Sequence, residues 1–190
     1  MTFADRWLCT KYDALGHRAN AFHAITERLE QLGRPVTIVE TGCLRQEGNW
    51  GGDGQSTIVW DQFVQHVGGK VYSVDLDPKA AALAHSLTSD HTTVECNDSV
   101  AWLTHLASFD LEVDFLYLDS YDIDWSNPEP SMQHHLAEVR AATPMLRPGT
   151  IVAVDDNQDG VGKGHLVGVH ATDNNWLEMC DSYVRAWIVN

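Results

Sequence analysis

A chain of 190 residues suits a single domain spanning residues 1–190, and a composition of 44% hydrophobic and 21% charged residues excludes a disordered or fibrous protein. The net charge of −15, from 27 acidic side chains against 12 Lys and Arg, disfavours a surface that binds nucleic acid. No apolar run reaches the roughly 18 residues of a membrane span, and the N-terminus lacks a signal-peptide pattern, so we expect a cytoplasmic protein that does not bind membranes.

The first 35 residues are predicted to form an N-terminal helical cover. Phe22, Ile25 and Leu29 recur at steps of three and four, which indicates an apolar stripe on a helix that Gly33 would end. The cover either packs on one side of the domain or forms part of a lid over a ligand, and the sequence leaves both interpretations open.

Apolar, β-branched runs then alternate with helical segments, which predicts an α/β fold with a doubly wound, mostly parallel sheet and helices on both faces. The predicted parallel strands are Val36–Val39, Val71–Val74, Thr92–Cys96, Val113–Leu118 and Ile151–Val154. Two closing strands, Trp176–Cys180 and Tyr183–Val189, have a short link and predict an antiparallel hairpin, giving seven strands.

The helices between the strands carry recognisable end signals. Asp77 followed by Pro78 predicts an N-cap and the first helical position. A later helix is predicted from about Ser131 to Leu146, with its last turn kinked by Pro144, and a short helix is predicted over His165–Ala171.

Carboxylates follow every predicted parallel strand. They are Glu40, Asp75, Asp98, Asp119 and the pair Asp155 and Asp156. Because the carboxyl ends of parallel strands meet at one edge, these acids are predicted to line the crevice in which open α/β sheets bind ligands.

The loop after the first strand does not suit a dinucleotide. Leu44 and Glu47 occupy the second and third glycine positions of the phosphate-binding fingerprint, which disfavours an NAD-dependent oxidoreductase. Asp75 directly follows its strand and could accept both hydroxyl protons of a ribose. A ribose-bearing ligand without phosphate, and preferably a cationic one, points to S-adenosylmethionine.

Five segments, in this order, carry a family resemblance: VETGC, VYSVDLDP, VECNDS, VDFLYLDS and LRPGTIVAVDDN. From about Val36 to Asn190 the chain resembles the class I S-adenosylmethionine-dependent methyltransferases, which implies a Rossmann-like fold and methyl transfer from S-adenosyl-L-methionine to a small-molecule acceptor. The resemblance implies cofactor contacts by Glu40, Thr41, Gly42, Gly54, Ser56, Asp75, Leu76, Asp98, Ser99 and Asp119.

One segment departs from the family pattern. Residues 45–53, RQEGNWGGD, separate the first glycine from the later ones. This insertion is either a glycine-rich solvent loop or a part of the site in which Trp50 and Arg45 contact cofactor or substrate, and both interpretations stay open.

Two arrangements could prepare an acceptor, predicted to be a hydroxyl oxygen. Resemblance to the catechol and caffeoyl-CoA O-methyltransferases implies a site for Mg²⁺ or another divalent cation, formed by Asp119 with Asp155 or Asp156 and Asn157. Without a metal, a histidine could act as general base, with His134, His135 and His165 as candidates, and Lys163 could bind an acidic substrate group. The candidate catalytic residues are Asp119, His165 and Lys163.

Further interpretations concern aromatic residues and the class of protein. Trp125 and Tyr121 are candidates for an acceptor pocket, whereas Trp176 and Trp187 are predicted in the core or on the face of a homo-oligomer. A Rossmann-like module that binds a nucleoside without catalysis is the alternative function. It would explain the strand-end acids equally well.

Overall fold

A seven-stranded sheet forms the centre of the computed structural model, which describes residues 1–52, 55–158 and 160–190. The strands are β1 Val36–Thr41, β2 Gly69–Asp75, β3 Thr92–Cys96, β4 Val113–Leu118, β5 Leu146–Val154, β6 Asn157–Gln158, β7 Val161–Gly162, β8 Leu177–Cys180 and β9 Arg185–Ile188. Their order in the large sheet is β3-β2-β1-β4-β5-β9-β8, and β6 and β7 form a separate two-stranded hairpin. Strands β1 to β5 are parallel and β8 and β9 antiparallel, which confirms the predicted sheet.

Eight α-helices in the described ranges surround the sheet. They are α1 Phe3–Arg6, α2 Tyr12–Leu15, α3 Ala19–Glu30, α4 Ser56–Val67, α5 Pro78–Leu87, α6 Ser99–Leu106, α7 Glu129–Ala142 and α8 His165–Asp173. None of the helices in these ranges has both the length and the apolar character needed to span a bilayer. The side chain of Asp77 caps α5 by accepting the Lys79 N–H at 2.9 Å, with Pro78 at the first position, as predicted.

The two faces of the sheet bury separate apolar clusters. Alternate residues of β1 point to opposite faces: Ile38 packs with α3 and α4, and Val39 packs with α6, α7 and α8. Helices α1 and α3 belong to the first cluster, where Phe3 and Phe22 are buried. The N-terminal segment therefore forms one layer of the core.

The junction between α7 and β5 differs from the prediction. Helix α7 ends at Ala142, a 3₁₀ turn covers Thr143–Met145, and β5 already begins at Leu146. Pro144 has no N–H to continue the α-helical ladder, so the chain tightens into the 3₁₀ turn. The predicted helix to Leu146 was wrong for this reason. The predicted strand start at Ile151 was wrong because Leu146 already pairs with Val113 of β4.

Candidate functional site

A cavity of about 430 Å³ opens at the carboxyl edge of the parallel strands, a volume within the range of roughly 300–1,000 Å³ that small-molecule sites occupy. Its walls come from the segment before α3 and from the loops after β1, β2, β4 and β5. The lining residues are Arg18, Gly42, Cys43, Arg45, Gly52, Asp75, Leu76, Asp77, Asp119, Ser120, Asp122 and Asp156. The structure thus brings three of the strand-end acids, Asp75, Asp119 and Asp156, to one cavity.

Gly42 allows the loop after β1 to lie against the backbone after β4. Its φ is 77°, and a Cβ at this position would lie 2.4 Å from the carbonyl oxygen of Asp119. Any other residue would need both a left-handed backbone and a displaced Asp119. The Gly42 N–H also donates to the Val74 carbonyl at 2.8 Å, which joins this loop to β2. Gly42 therefore sets how closely the loops around the cavity approach.

Asp75 ends β2 with its carboxylate fixed by two backbone amides. Its Oδ2 accepts the Cys43 N–H at 3.0 Å and its Oδ1 accepts the Asp77 N–H at 2.8 Å. Each carboxylate oxygen can accept a second hydrogen bond. Since Asp75 also lines the cavity, it can accept two hydroxyl protons from one ligand without moving.

A smaller cavity of about 70 Å³ adjoins the first, because Asp75, Leu76 and Ser120 border both. Its other borders are Val74, Asp98, Ser99, Tyr121 and His134. Leu76 is 73% exposed here and offers an apolar surface to a flat ring. Asp98 caps α6 by accepting the Ala101 N–H at 2.8 Å, which leaves its other oxygen to accept from a ligand.

Three other predicted cofactor residues, Glu40, Thr41 and Ser56, lie beneath the cavity wall. Glu40 is fully buried and accepts hydrogen bonds from the Ser56 and Ser73 hydroxyls, both at 2.7 Å. Burial raises the pKa of Glu40 to about 7, although the two serines lower it. Thr41 is fully buried, and its carbonyl accepts the Asp119 N–H at 2.8 Å. Glu40 and Thr41 thus support the cavity loops from below, and the prediction for Gly54 falls outside the described residues.

Lys163 is fully buried between two acids of the cavity. Its Nζ lies 2.5 Å from Asp119 Oδ1 and 2.8 Å from Asp156 Oδ2. Burial raises the pKa of Asp119. Burial acts to raise the pKa of Asp156 as well, but Lys163, the Tyr183 hydroxyl and Arg18 together outweigh it and lower this pKa. Lys163 therefore contacts two carboxylates, and its side chain does not reach solvent.

A second cation joins the same cluster from the N-terminal segment. Arg18 Nε lies 2.5 Å from Asp155 Oδ2, and Arg18 Nη2 lies 3.7 Å from Asp156 Oδ1. The Tyr117 hydroxyl donates to Asp155 Oδ2 at 2.8 Å, and the Tyr183 hydroxyl donates to Asp156. Burial of Tyr117 and partial burial of Tyr183 raise the pKa values of both, so their hydroxyls stay protonated as donors.

The four residues predicted as metal ligands are engaged within the protein. Asp119, Asp155 and Asp156 are paired with Lys163 and Arg18, and the Asn157 amide donates to the Val154 carbonyl at 2.9 Å while its oxygen accepts the Gly164 N–H at 2.9 Å. Among the residues that the structure describes, no group of three or more His, Cys, Asp or Glu side chains is arranged to hold a metal ion. This donor set does not fit a metal site, and no chemical step is assigned to a metal.

Residues of the 45–53 insertion lie on two sides of the site. Arg45 and Gly52 border the large cavity, and Arg45 Nη1 lies 2.9 Å from Asp122 Oδ2 in the loop after β4. Trp50 packs instead on Trp7 of the N-terminal segment, with ring centroids 6.0 Å apart. The insertion therefore contributes to the cavity wall through Arg45 and Gly52, while Trp50 anchors it to the helical layer.

Other candidates lie away from the cavity. His165 is exposed at the start of α8, where its Nδ1 lies 3.1 Å from the Gly160 carbonyl oxygen. Trp125 is 45% exposed, and Tyr121 packs against His134 beside the smaller cavity. Trp187 is 2% exposed within the core and Trp176 packs against the same cluster.

Sequence reasoning missed several residues that the structure brings to the site. Arg18 precedes α3 in a segment with no motif, and Tyr183 lies in the link between β8 and β9. One signal was present for Tyr117, because a hydroxyl inside the apolar strand VDFLYL needs a buried partner. The partners of Arg18 and Tyr183 are far away in sequence, so local patterns carry no signal for them.

Comparison with known proteins gives the family. A family model described as a methyltransferase domain matches residues 50–157, more than half of the chain. The chain belongs to this methyltransferase-domain family. The match confirms the family predicted from the sequence motifs, and it covers β2 to β5 and the helices between them. Comparison with curated proteins gave no match.

Solved structures share the fold of this methyltransferase domain. The MycE methyltransferase from the mycinamycin biosynthetic pathway, in complex with Mg, SAH and mycinamycin VI, is 14% identical with a TM-score of 0.64, over 91% of this chain and 48% of MycE. The O-methyltransferase NovP is 14% identical with a TM-score of 0.65, over 92% of this chain and 80% of NovP. CalS11, a TDP-rhamnose 3′-O-methyltransferase, is 13% identical with a TM-score of 0.65, over 91% and 80%. The chain thus spans about half the length of MycE.

Proposed function

We propose that this methyltransferase domain transfers a methyl group from S-adenosyl-L-methionine to a hydroxyl oxygen of a small molecule. The observation that carries the proposal is Asp75, held at the end of β2 by two backbone amides and facing a cavity of about 430 Å³ in a chain of the methyltransferase-domain family. MycE, which was solved with SAH, supports the choice of cofactor.

The residues around the two cavities suit the parts of this cofactor. Asp75 would accept the ribose hydroxyls, and the adenine would lie against Leu76 with Asp98 and Ser99 at its edge. Gly42 leaves room for the remainder of the cofactor beside the backbone after β4. S-adenosyl-L-methionine supplies an activated methyl group on a positively charged sulfur, and the acids of the cavity favour binding of that charge.

The polar wall of the large cavity supports a polar acceptor. Ser120 and Asp122 border it from the loop after β4 and Arg45 from the loop after β1, whereas Asp75 and Leu76 border it at the end of β2. The protein's contribution to methyl transfer is to hold the acceptor oxygen in line with the methyl group, because alignment supplies much of the rate enhancement in such displacements. NovP and CalS11 are O-methyltransferases, whereas NodS, with the same fold, is an N-methyltransferase, so the oxygen acceptor rests on the cavity wall together with these two neighbours.

The cofactor proposal is tested by replacing the Asp75 carboxylate. Asp75→Ala removes the acceptor of two hydroxyl protons at about 1.5 kcal/mol each, so we expect S-adenosyl-L-methionine to bind about 100-fold more weakly. Isothermal titration calorimetry with S-adenosyl-L-methionine and with its demethylated product measures this loss. Asp75→Asn, which keeps one acceptor oxygen, is expected to lie between wild type and Asp75→Ala.

Asp90→Ala is the matched control, because it removes an exposed carboxylate from the opposite edge of the sheet. The affinity of Asp90→Ala for S-adenosyl-L-methionine should equal that of wild type. Purified wild-type protein that binds neither compound would contradict the proposal. Turnover with hydroxylated acceptors, followed by mass spectrometry of the methylated product, tests the acceptor atom separately.

A further inference from the structure

We propose that the Lys163 ammonium takes the place of a divalent cation between Asp119 and Asp156, so that this chain needs no metal ion for methyl transfer. The first part stands on the geometry of the cluster alone. The second part rests on the proposed function, because it concerns the turnover of a methyltransferase.

The ammonium occupies the oxygens that a metal would use. Nζ contacts Asp119 Oδ1 at 2.5 Å and Asp156 Oδ2 at 2.8 Å, and the Lys163 side chain is fully buried. A magnesium or calcium ion would bind the same oxygens at about 2.0–2.6 Å. An ion and Nζ therefore compete for one space between the two carboxylates.

The backbone around Lys163 places its side chain between Asp119 and Asp156. Strands β6 and β7 turn the backbone back over residues 156 and 157, and the Lys163 N–H donates to the Asp156 carbonyl at 3.2 Å. A Cβ at Gly162 would lie 2.4 Å from the Asp156 carbonyl oxygen, and one at Gly164 would lie 2.9 Å from Asn157 Oδ1. Glycine on both sides thus permits the close return of the chain that buries Lys163.

Most of the negative charge of the cluster is offset by protein cations. Lys163 and Arg18 offset two of the three carboxylates of Asp119, Asp155 and Asp156. A buried ammonium without its partners would be strongly disfavoured, because its desolvation would no longer be compensated. The two carboxylates therefore stabilise the Lys163 ammonium in its buried position between them.

Lys163 acts through the acids that it holds. Asp119 and Asp156 border the large cavity, whereas Lys163 lies behind them without exposed surface. It is a positioning residue that keeps these two carboxylates at a fixed separation on the cavity wall. In metal-dependent enzymes a bound cation holds the carboxylates in place and also contacts the acceptor.

The wild-type protein provides the first test. Calorimetric titration with MnCl₂ and MgCl₂ should show no saturable binding of one ion per chain, and turnover should be the same with and without EDTA. One Mn²⁺ per chain, lost in Asp156→Asn, would overturn the proposal, as would turnover that EDTA abolishes and Mg²⁺ restores. Binding of S-adenosyl-L-methionine in the same buffer is a separate readout, so failure of the proposed function is distinguishable from failure of this inference.

Lys163→Ala provides the second test. Removing the ammonium leaves space and an excess of negative charge between the two carboxylates, so we expect Mn²⁺ affinity at least about tenfold above wild type and a melting temperature that rises with Mn²⁺. Lys70→Ala is the matched control, since Lys70 is exposed and its Nζ donates to the Asp90 carbonyl at 2.8 Å, away from the cluster.

The control Lys70→Ala should show neither the higher Mn²⁺ affinity nor a melting temperature that rises with Mn²⁺. If Lys163→Ala does not fold, Lys163→Met keeps the aliphatic volume and removes only the charge. A folded variant of either kind that gains no Mn²⁺ affinity would overturn the proposal, because the carboxylates would then be unable to hold an ion where the ammonium lies.

Discussion

His134 and His135 are neighbours on α7 but have opposite surroundings. His134 is partly exposed, and its hydrogen bond with Glu138, at 3.3 Å, raises its pKa. His135 is fully buried, and burial lowers its pKa to about 4. We therefore predict that the two imidazoles titrate on opposite sides of the ordinary value of about 6.5. NMR titration of the imidazole protons, assigned with His134→Gln and His135→Gln, measures both values.

The same shifts predict how stability depends on pH. Between about 6.5 and 4 the unfolded chain protonates His135 while the folded chain does not, so the free energy of unfolding falls as pH decreases through this window. His134 acts in the other direction: its contribution is present below 6.5 and is lost as pH rises through its raised pKa. Urea denaturation of His135→Gln should show a smaller loss between pH 7 and 5 than wild type. Equal losses would contradict the assignment of a buried neutral His135.

At the scale of single residues, sequence reasoning found the side chains whose role depends on the local chain. Gly42 directly follows β1 and Asp75 is the last residue of β2, so strand order alone places them at the cavity. Sequence reasoning could not assign the partners of Lys163. The pairing with Asp119 joins residues 44 positions apart, and the hairpin that allows it has no strong sequence pattern. A lysine between two glycines suits a solvent loop equally well.

Among the elements, α4 is tied to the turn before β3 through one carboxylate. Asp61 is 1% exposed, and its Oδ1 accepts from the Ser89 N–H, the Ser89 hydroxyl and the Thr92 hydroxyl at 2.7–3.1 Å. Its Oδ2 accepts from the Gln65 amide at 2.6 Å. Asp61→Ala would leave these donors without their acceptor, so we expect the free energy of unfolding to fall by about 3 kcal/mol.

Chemical denaturation measures the loss in Asp61→Ala. Asp61→Asn keeps one oxygen and should lose less, while Asp90→Ala, in the same turn but exposed, should match wild type within about 0.5 kcal/mol. A loss in Asp61→Ala no larger than in Asp90→Ala would show that the hydrogen bonds of Asp61 do not secure α4.

The order of elements was predictable because each strand is a short apolar run between helical segments. Thr92–Cys96 and Val113–Leu118 were predicted with their observed bounds. Boundaries failed where backbone chemistry competes with periodicity, as at Pro144, and the β6–β7 hairpin was missed because two-residue strands have no detectable period.

In the whole molecule, the N-terminal segment links the core to the site. Phe3 and Phe22 of α1 and α3 pack in the cluster under the sheet, and Arg18, just before α3, pairs with Asp155 at the edge of β5. Trp7 holds the insertion through Trp50. The helical layer is thus structural in its apolar contacts, and Arg18 adds one side chain of this segment to the cavity wall.

The net charge of −15 predicts how the whole molecule responds to salt. Excess negative charge opposes the compact state through self-repulsion, and raising ionic strength shortens the Debye length from about 30 Å at 0.01 M to about 8 Å at 0.15 M. The buried pairs of Lys163 and Arg18 are screened much less than the exposed acids. We therefore expect the melting temperature to rise with NaCl, by about 2–4 °C for each kcal/mol gained, as followed by differential scanning calorimetry.

Choline chloride at equal ionic strength should give the same rise, since screening does not depend on the identity of the cation. A melting temperature that falls with either salt would show that attractive ion pairs outweigh the repulsion.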